Sequence, residues 1–157
     1  MGEGNLMNCI VCDRIEMIKN GTNPYFVIEL ETGYVVVGDH QHFKGYTLFL
    51  CKQHTEELHL LNKEFKHKFL DEMALVAEAV YNVFKPEKLN YELLGTGNAT
   101  HMHWHIFPRI SGDTPSQGPV WKLPHEIMYD TKNEPSIKEL VEMKTNIKQE
   151  IVRLLTK

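Results

Sequence analysis

Three histidines that alternate with large apolar residues are the strongest candidates for chemistry in this sequence. In chain order the segment reads His101, Met102, His103, Trp104, His105, Ile106, Phe107, Pro108 and Arg109. Successive side chains of a β-strand point to opposite faces, so a strand would separate the histidines from the apolar residues. A helix would spread the histidines around its axis. We therefore predict a strand over residues 101–109, with Trp104 on the buried face and the imidazoles open to a ligand.

The histidine face is compatible with two kinds of chemistry. Imidazoles bind metal ions such as zinc, and they also act as nucleophiles or move protons. A loop that contains Gly97 and Asn98 stands directly before the histidines and offers backbone N–H groups to phosphate oxygens. Arg109 follows the histidines and is expected to add positive charge. A histidine nucleophile beside an anion-binding loop suggests attack on phosphorus, and a catalytic three-histidine metal site is the alternative.

The cysteines leave three interpretations open. Cys9 and Cys12 form a Cys-x-x-Cys pair, and Cys51 is the third cysteine. The pair is either two ordinary thiols, a redox motif, or half of a zinc site, since zinc takes four thiolate or imidazole ligands. The redox interpretation requires a thioredoxin-like βαβ context, which the sequence does not predict. An odd number of cysteines argues against a disulfide framework, and we interpret Cys51 as a buried apolar thiol.

Length, charge and hydropathy limit the class of protein. The 157 residues are enough for one domain with a substantial core. The formal net charge of −4 gives no basic field for nucleic acid, so nucleic acid is not expected as a partner. No segment approaches the apolar length of a transmembrane helix, and residues 1–8 lack the apolar core of a signal peptide. We therefore expect a cytoplasmic protein that does not bind membranes.

The order of the predicted elements indicates an α+β fold. Besides the histidine strand, strands are predicted over residues 25–30, 34–37, 45–51 and 89–94, and helices over residues 13–20, 62–84 and 135–155. These elements do not alternate as in a parallel α/β sheet. We therefore expect an antiparallel β-sheet with a long central helix and a C-terminal helix packed on one side. Residues 111–133 are rich in Pro, Gly, Asp and Ser and are interpreted as an extended arm.

These segments resemble the histidine triad (HIT) family. Its motif consists of three histidines separated by single apolar residues and followed by two more apolar residues, as in residues 101–107. The glycine-led segment 45–54 is similar to the family's strand that ends in Lys-x-His, and the order of elements over residues 9–109 also fits. Trp104 within the triad and the upstream segment 89–95 resemble the bacterial branch of diadenosine-polyphosphate hydrolases.

The resemblance implies a fold and an activity. The fold would be HIT-like, with residues 1–110 as a nucleotide-binding catalytic domain and residues 111–157 as an arm and helix of the same domain. The activity would be nucleotide hydrolysis or nucleotidyl transfer at the α-phosphate of dinucleoside polyphosphates such as diadenosine tetraphosphate. His103 would attack the α-phosphorus and form a covalent nucleotidyl-histidine, and His105 would assist the leaving group.

The resemblance also implies substrate-binding residues. Gly97 and Asn98 would hold phosphate oxygens, and Asp39 would bind the ribose hydroxyls. The family usually carries Gly-Gln-Ser/Thr before the histidines, whereas this chain has Gly97, Asn98 and Ala99 in a loop about one residue shorter. The Ser/Thr hydroxyl is therefore absent from its usual place, which affects the geometry of phosphate binding and hence the leaving-group preference.

A structural zinc ion and a homodimer are implied as well. Some members of the family hold zinc with Cys-x-x-Cys, a distant histidine and the first histidine of the motif. The matching residues here are Cys9, Cys12, His54 and His101. Family members commonly form homodimers through the central helix and a sheet edge. Two alternative functions stay open, namely hydrolysis of nucleoside phosphoramidates by the same triad and nucleotide binding without turnover.

Overall fold

A five-stranded antiparallel sheet organises residues 8–157, the part of the chain that the computed structural model describes. The strands are β1 (Phe26–Glu29), β2 (Gly33–Val37), β3 (Thr47–Cys51), β4 (Lys88–Glu92) and β5 (His103–Arg109). Their order across the sheet is β1-β2-β3-β5-β4. The helices are α1 (Ile10–Lys19), α2 (Lys63–Phe84), α3 (His125–Met128) and α4 (Ile137–Leu155). The predicted α+β fold, with a long central helix and a C-terminal helix, is confirmed.

The helices α2 and α4 cover one face of the sheet. Helix α2 begins after Asn62, whose Oδ1 accepts a hydrogen bond from the backbone N–H of Phe65 at 2.9 Å. It ends at Lys85, which adopts a left-handed conformation directly before Pro86. The main core lies between these helices and the sheet and includes Val35, Phe49, Phe69, Val76, Val80, Ile106, Ile147 and Ile151. Burial of this apolar surface is the main source of stability.

The opposite face of the sheet is shared between α1 and open cavities. Strand β2 is buried throughout, because its alternate side chains enter two different clusters. Val35 belongs to the main core, whereas Tyr34 and Val36 pack with Val11 and Ile15 of α1. Helix α1 therefore lies over β2, and the neighbouring part of this face, over β3 and β5, is where His103 and His105 lie.

The histidine segment forms a shorter strand than predicted. Strand β5 begins at His103, because Met102 donates its backbone N–H to the carbonyl oxygen of Thr55 at 2.9 Å, outside the sheet. The predicted strand over residues 101–109 is therefore two residues too long at its start, and His101 precedes β5. The expectation of a buried apolar face is confirmed, since the main core contains or is packed against Met102, Trp104 and Ile106.

The predicted arm folds back over the histidine side of the sheet. It contains 3₁₀ turns and the short helix α3 rather than a fully extended chain. Its apolar side chains pack with three aromatic rings in a separate small cluster, which includes Phe43, Tyr46, Phe107, Val120, Leu123 and Met128. Gln41 also ties the arm down, since its backbone N–H donates to the carbonyl oxygen of Asn133 at 2.7 Å. The arm thus forms walls beside the histidines.

The helices of the described residues are too short or too polar to cross a bilayer. None of them combines the length and the apolar character that a membrane span requires. Residues 1–7 lie outside the described residues, and they include most of the segment from which the absence of a signal peptide was inferred.

Candidate active site and metal centre

Two cysteines and two histidines converge behind the start of β5. Cys9 caps the N-terminus of α1, where its Sγ accepts a hydrogen bond from the backbone N–H of Cys12 at 3.2 Å. His54 follows β3, and His101 precedes β5, so strand pairing brings both to this helix end. One ligand atom from each of the four residues lies within 4.8 Å of all the others. The residues predicted as zinc ligands are therefore close together in space.

The distances within this cluster fit a tetrahedral zinc site. The Nδ1 of His101 lies 3.6 Å from the Sγ of Cys9 and 3.4 Å from that of Cys12, and the Nδ1 of His54 lies 3.3 Å from the Sγ of Cys12. Zinc–sulfur bonds of about 2.3 Å and zinc–nitrogen bonds of about 2.0 Å at a tetrahedral angle place sulfur and nitrogen about 3.5 Å apart. The donor atoms are thus spaced as zinc ligands are.

The hydrogen bonds of the cluster also suit a cation. The Nε2 of His101 lies 2.6 Å from the carbonyl oxygen of Cys51. Because a carbonyl only accepts, Nε2 carries the proton and Nδ1 turns its lone pair toward the two sulfurs. Burial, followed by the neighbouring Cys9, raises the pKa of the Cys12 thiol to about 12, so ionising this sulfur requires a cation as counterion.

His103 has a nitrogen lone pair that its hydrogen bonding leaves free. Its Nδ1 donates to the carbonyl oxygen of His101 at 2.8 Å, so Nε2 is the unprotonated nitrogen of the neutral ring. Burial lowers the pKa of His103, which favours this neutral form. The side chain is 8% exposed and lines a cavity. The free nitrogen has the electronic character of a nucleophile.

Tyr46 holds the neighbouring histidine, His105, through a short hydrogen bond. The hydroxyl of Tyr46 and the Nδ1 of His105 are 2.6 Å apart. Burial raises the pKa of Tyr46 well above its ordinary value, so the hydroxyl keeps its proton and donates it to Nδ1. Burial, followed by His103, lowers the pKa of His105 to about 4. The neutral ring of His105 therefore carries its proton on Nε2, a position assigned from these partners.

Ring stacking and a glycine fix Tyr46 in this position. Its ring is stacked on that of Phe107, with centroids 4.2 Å apart, and is nearly parallel to that of His105. Gly38 allows the approach, because a Cβ there would lie 2.3 Å from the Tyr46 ring. The rings of His103 and His105 are 4.7 Å apart. The two imidazoles are thus held side by side, each with its Nε2 outside these hydrogen bonds, unprotonated in His103 and protonated in His105.

A cavity of about 270 Å³ opens beside His103, and we call it the first cavity. Apolar side chains of α1, β2 and β3, among them Ile10, Val36 and Leu50, form much of its lining. Asp39, predicted to bind ribose, lies at the same cavity with its side chain half exposed. His40 also lines it and contacts Asp39 at 3.0 Å. The cavity combines an apolar interior with an accessible carboxylate.

Gly97 and Asn98 occupy a different place from the first cavity. They begin a 3₁₀ turn that ends at Ala99, and they line a smaller depression beside Cys9 and His54. Ala99 is the residue of this loop that borders the first cavity. The structure therefore brings Asp39 and His103 to one cavity and places Gly97 and Asn98 beside the cysteine–histidine cluster. Their role as phosphate ligands stays a prediction.

The expectation that Arg109 supplies positive charge to an anion is wrong. Its guanidinium forms two hydrogen bonds with the carboxylate of Asp113, at 2.7 and 2.8 Å, and further bonds with Asn90 and the carbonyl oxygen of Gly118. The two paired side chains are 12% and 8% exposed. The loop after β5 folds back and neutralises this charge, so Arg109 anchors the arm.

Some residues beside the histidines were not predicted from the sequence. Tyr46, Met128 and Tyr129 line both the first cavity and a second cavity of about 320 Å³ that contains His105. Tyr46 had a signal in the sequence, since it stands one residue before β3 in the alternating stretch that leads to His54. Met128 and Tyr129 had none, because the arm shows no periodicity that fixes its path.

Comparison with known proteins identifies the family. The HIT domain family matches residues 22–112, which is more than half of the chain. Protein hit from Bacillus subtilis (strain 168) is 30% identical over 120 residues, which cover 73% of this chain and 79% of that protein.

Solved structures support the same fold. A zinc-bound histidine triad family protein from Mycobacterium smegmatis matches with a TM-score of 0.64 and 19% identity, covering 96% of this chain and 97% of that chain. Plasmodium falciparum diadenosine triphosphate hydrolase, solved in complex with cyclomarin A, matches with a TM-score of 0.56 and 16% identity, covering 83% and 78%. The family match, the relative in Bacillus and the triad geometry lead to one conclusion: this chain belongs to the HIT domain family of histidine triad proteins.

Proposed function

We propose that this protein hydrolyses dinucleoside polyphosphates, such as diadenosine tetraphosphate, through a covalent nucleotidyl-His103 intermediate. One observation carries the proposal: the Nε2 of His103 has a free lone pair at a cavity that also presents an apolar interior and Asp39. An apolar cavity suits a nucleobase, and a carboxylate at its edge accepts hydrogen bonds from ribose hydroxyls. Members of the family are commonly nucleotide hydrolases or transferases, and the similar Plasmodium falciparum protein is named a diadenosine triphosphate hydrolase.

The proposed reaction has two displacements at the α-phosphorus. The lone pair on Nε2 of His103 forms a bond to phosphorus, and the bond between phosphorus and the bridging oxygen breaks, with its electron pair leaving on that oxygen. Water then attacks the same phosphorus, the bond to Nε2 breaks, and the nucleoside monophosphate is released as the water loses a proton. The hydrogen bond from Nδ1 of His103 to the carbonyl of His101 stabilises positive charge on the ring while the adduct exists.

His105 is proposed to assist departure of the leaving group. Because Tyr46 donates to its Nδ1, the N–H on Nε2 is available to donate a hydrogen bond to the bridging oxygen as charge develops there. Gly97 and Asn98 are proposed to contact phosphate oxygens through the loop before the histidines, which requires the substrate's phosphates to extend past Ala99. Residues 1–110 would thus supply the chemistry and residues 111–157 the surrounding walls of the same domain.

A structural zinc ion is proposed at the cysteine–histidine cluster. Cys9, Cys12, His54 and His101 would hold it, as their spacing and the direction of the His101 lone pair support. When bound, zinc supplies a fixed charge that cross-links α1 to the ends of β3 and β5. His101 would then keep its carbonyl oxygen in place for His103. The zinc-bound relative from Mycobacterium smegmatis supports this proposal.

A homodimer and a cytoplasmic location also belong to this proposal. Strand β4 stands at the edge of the sheet, and Tyr91 on it and Tyr81 on α2 are about half exposed. An edge strand with exposed aromatic residues favours pairing with a second copy of the chain. Light scattering of the purified protein would measure whether it forms a dimer.

Trapping the covalent adduct tests the proposed function. The full chain is mixed with diadenosine tetraphosphate, stopped with alkali, which preserves a phosphorus–nitrogen bond, and analysed by peptide mass spectrometry. We expect one adenylyl group on the peptide that contains His103, and release of AMP. His103→Ala should show neither while still binding AMP. Turnover by His103→Ala at the normal rate would refute the mechanism, and binding without any adduct would indicate a binding module.

Kinetics on a second substrate class separate the two activities open to this triad. A nucleoside phosphoramidate offers the same α-phosphorus and differs in its leaving group, which is an amine. If kcat/KM is higher for adenosine 5′-phosphoramidate than for diadenosine tetraphosphate, the substrate assignment is wrong while the nucleotidyl-histidine mechanism stands.

A further inference from the structure

The cavity beside His105 has no assigned role in the reaction described above. We call it the second cavity; its volume is about 320 Å³. His105 lines the second cavity and His103 lines the first, while Tyr46, Met128 and Tyr129 line both. The two cavities are therefore neighbours that share these three lining residues, and each presents one of the two imidazoles, whose rings are 4.7 Å apart.

The second cavity is built mainly from the arm and is aromatic. Trp121, His125 and Tyr129 line it together with Phe107 of β5. Trp121 is 66% exposed and Tyr129 is 52% exposed. Exposed aromatic side chains that cluster at a cavity are typical of a surface that contacts a ligand or a partner. This arrangement indicates that the cavity has an occupant with a flat surface.

The uncharged lining of the second cavity favours an uncharged occupant. Among the residues that the structure describes, none of those lining this cavity is Asp, Glu, Lys or Arg. A free amine or an isolated phosphate would find no oppositely charged side chain there. A nucleobase is planar and uncharged, and stacking on an aromatic side chain is a common way in which proteins hold one.

We propose that the second cavity binds the nucleoside of the departing half of the substrate, with its base stacked on Trp121. The inference rests on the proposed function, because it takes His105 as the residue on the leaving-group side. A substrate with nucleosides at both ends fills both cavities, and its polyphosphate passes the two imidazoles. Trp121 is thus a specificity-determining residue for substrates whose leaving group carries a base.

A binding experiment tests this independently of turnover. Dissociation constants are measured by calorimetry on His103→Ala protein for AMP, which has one nucleoside, and for diadenosine tetraphosphate, which has two. We expect Trp121→Ala to reduce the preference for diadenosine tetraphosphate over AMP about tenfold, since it removes one stacking surface. Trp121→Phe should retain most of the preference because it keeps an aromatic ring. Ile137→Ala, at a residue of α4 that is 84% exposed, is the matched control.

The possible results separate this inference from the proposed function. If Trp121→Ala weakens both ligands equally, or neither, the second cavity is not the site of the departing nucleoside. If the preference falls as expected but the chain with His103 intact releases no AMP, the second cavity still binds the second nucleoside, and only the proposed hydrolysis is refuted. Trp121 is largely exposed, so its replacement leaves the core unchanged, and circular dichroism of each variant verifies folding.

Discussion

Replacing Tyr46 by phenylalanine removes one oxygen atom and preserves the ring stack beside the histidines. The lost contact is the 2.6 Å hydrogen bond to Nδ1 of His105. The phenyl ring of the Tyr46→Phe variant would keep its place against Phe107, because the shape of the side chain is nearly unchanged. What changes is that Nδ1 of His105 loses its hydrogen-bond donor.

The size of the effect follows from that lost donor. A buried acceptor left without its partner costs about 1–3 kcal/mol, and about 1.4 kcal/mol corresponds to a tenfold change in a rate or equilibrium constant. Without the hydroxyl, the tautomer of His105 that carries its proton on Nδ1 is no longer disfavoured. In that tautomer Nε2 has no proton and cannot donate a hydrogen bond to the leaving group. We therefore expect Tyr46→Phe to lower kcat for diadenosine tetraphosphate about tenfold, with little change in KM.

Two measurements check this reasoning. Steady-state kinetics give kcat and KM, and nitrogen NMR of the His105 ring reports which nitrogen is protonated. Tyr34→Phe is the matched control, because Tyr34 is equally buried but packs with α1 and lines neither cavity. If Tyr46→Phe keeps the normal kcat while the proton of His105 stays on Nε2, the role assigned to Tyr46 is refuted.

Three further predictions concern metal, pH and the arm. The purified protein should contain about one zinc ion per chain by elemental analysis. Cys9→Ser should lower the zinc content to less than half and reduce the melting temperature measured by calorimetry. Equal zinc content in both proteins would contradict the proposed site. Burial lowers the pKa of His105 from 6.5 to about 4 in the folded protein, so His105 of the unfolded chain is protonated first as pH falls. Neutral His105 therefore contributes about 3 kcal/mol to the free energy of unfolding above about pH 6.5, and this contribution is lost toward pH 4. Chemical denaturation at several pH values should show that His105→Gln reduces this dependence, and an unchanged curve would disprove it. Arg109→Gln should lower the free energy of unfolding by about 3 kcal/mol, because it strands the buried Asp113; chemical denaturation measures this, and an unchanged free energy of unfolding would contradict the anchoring role.

The sequence predicted the positions of the strands and helices better than the long-range contacts between them. Alternation of apolar and polar residues identified β5 and its buried face, and helical periodicity identified α2 to within one residue at its start. The start of β5 was missed because it depends on the hydrogen bond between Met102 and Thr55, which joins segments distant in the chain. Strand boundaries set by such long-range contacts leave no trace in local periodicity.

Contacts across the sheet explain what was missed in the site. Tyr46 meets His105 only because β3 and β5 pair in one particular register, with Leu48 opposite His105. A shift of one residue would turn Tyr46 to the other face, and the sequence alone does not specify that register. The cysteine–histidine cluster was anticipated through the family resemblance rather than through residue spacing, since its members come from three distant segments.

The origin of the cavity walls has a consequence for how this protein can diversify. His103 and His105 lie on β5, whereas Trp121, Met128 and Tyr129 belong to one short segment outside the sheet. Under the proposed function, the reacting groups and the side chains that select the departing nucleoside are therefore encoded in separate stretches of the chain. An exchange of residues 119–129 between relatives would alter which substrates are accepted while the reaction stayed the same. Natural variation or engineering of the arm would therefore be expected to change substrate preference without altering β5.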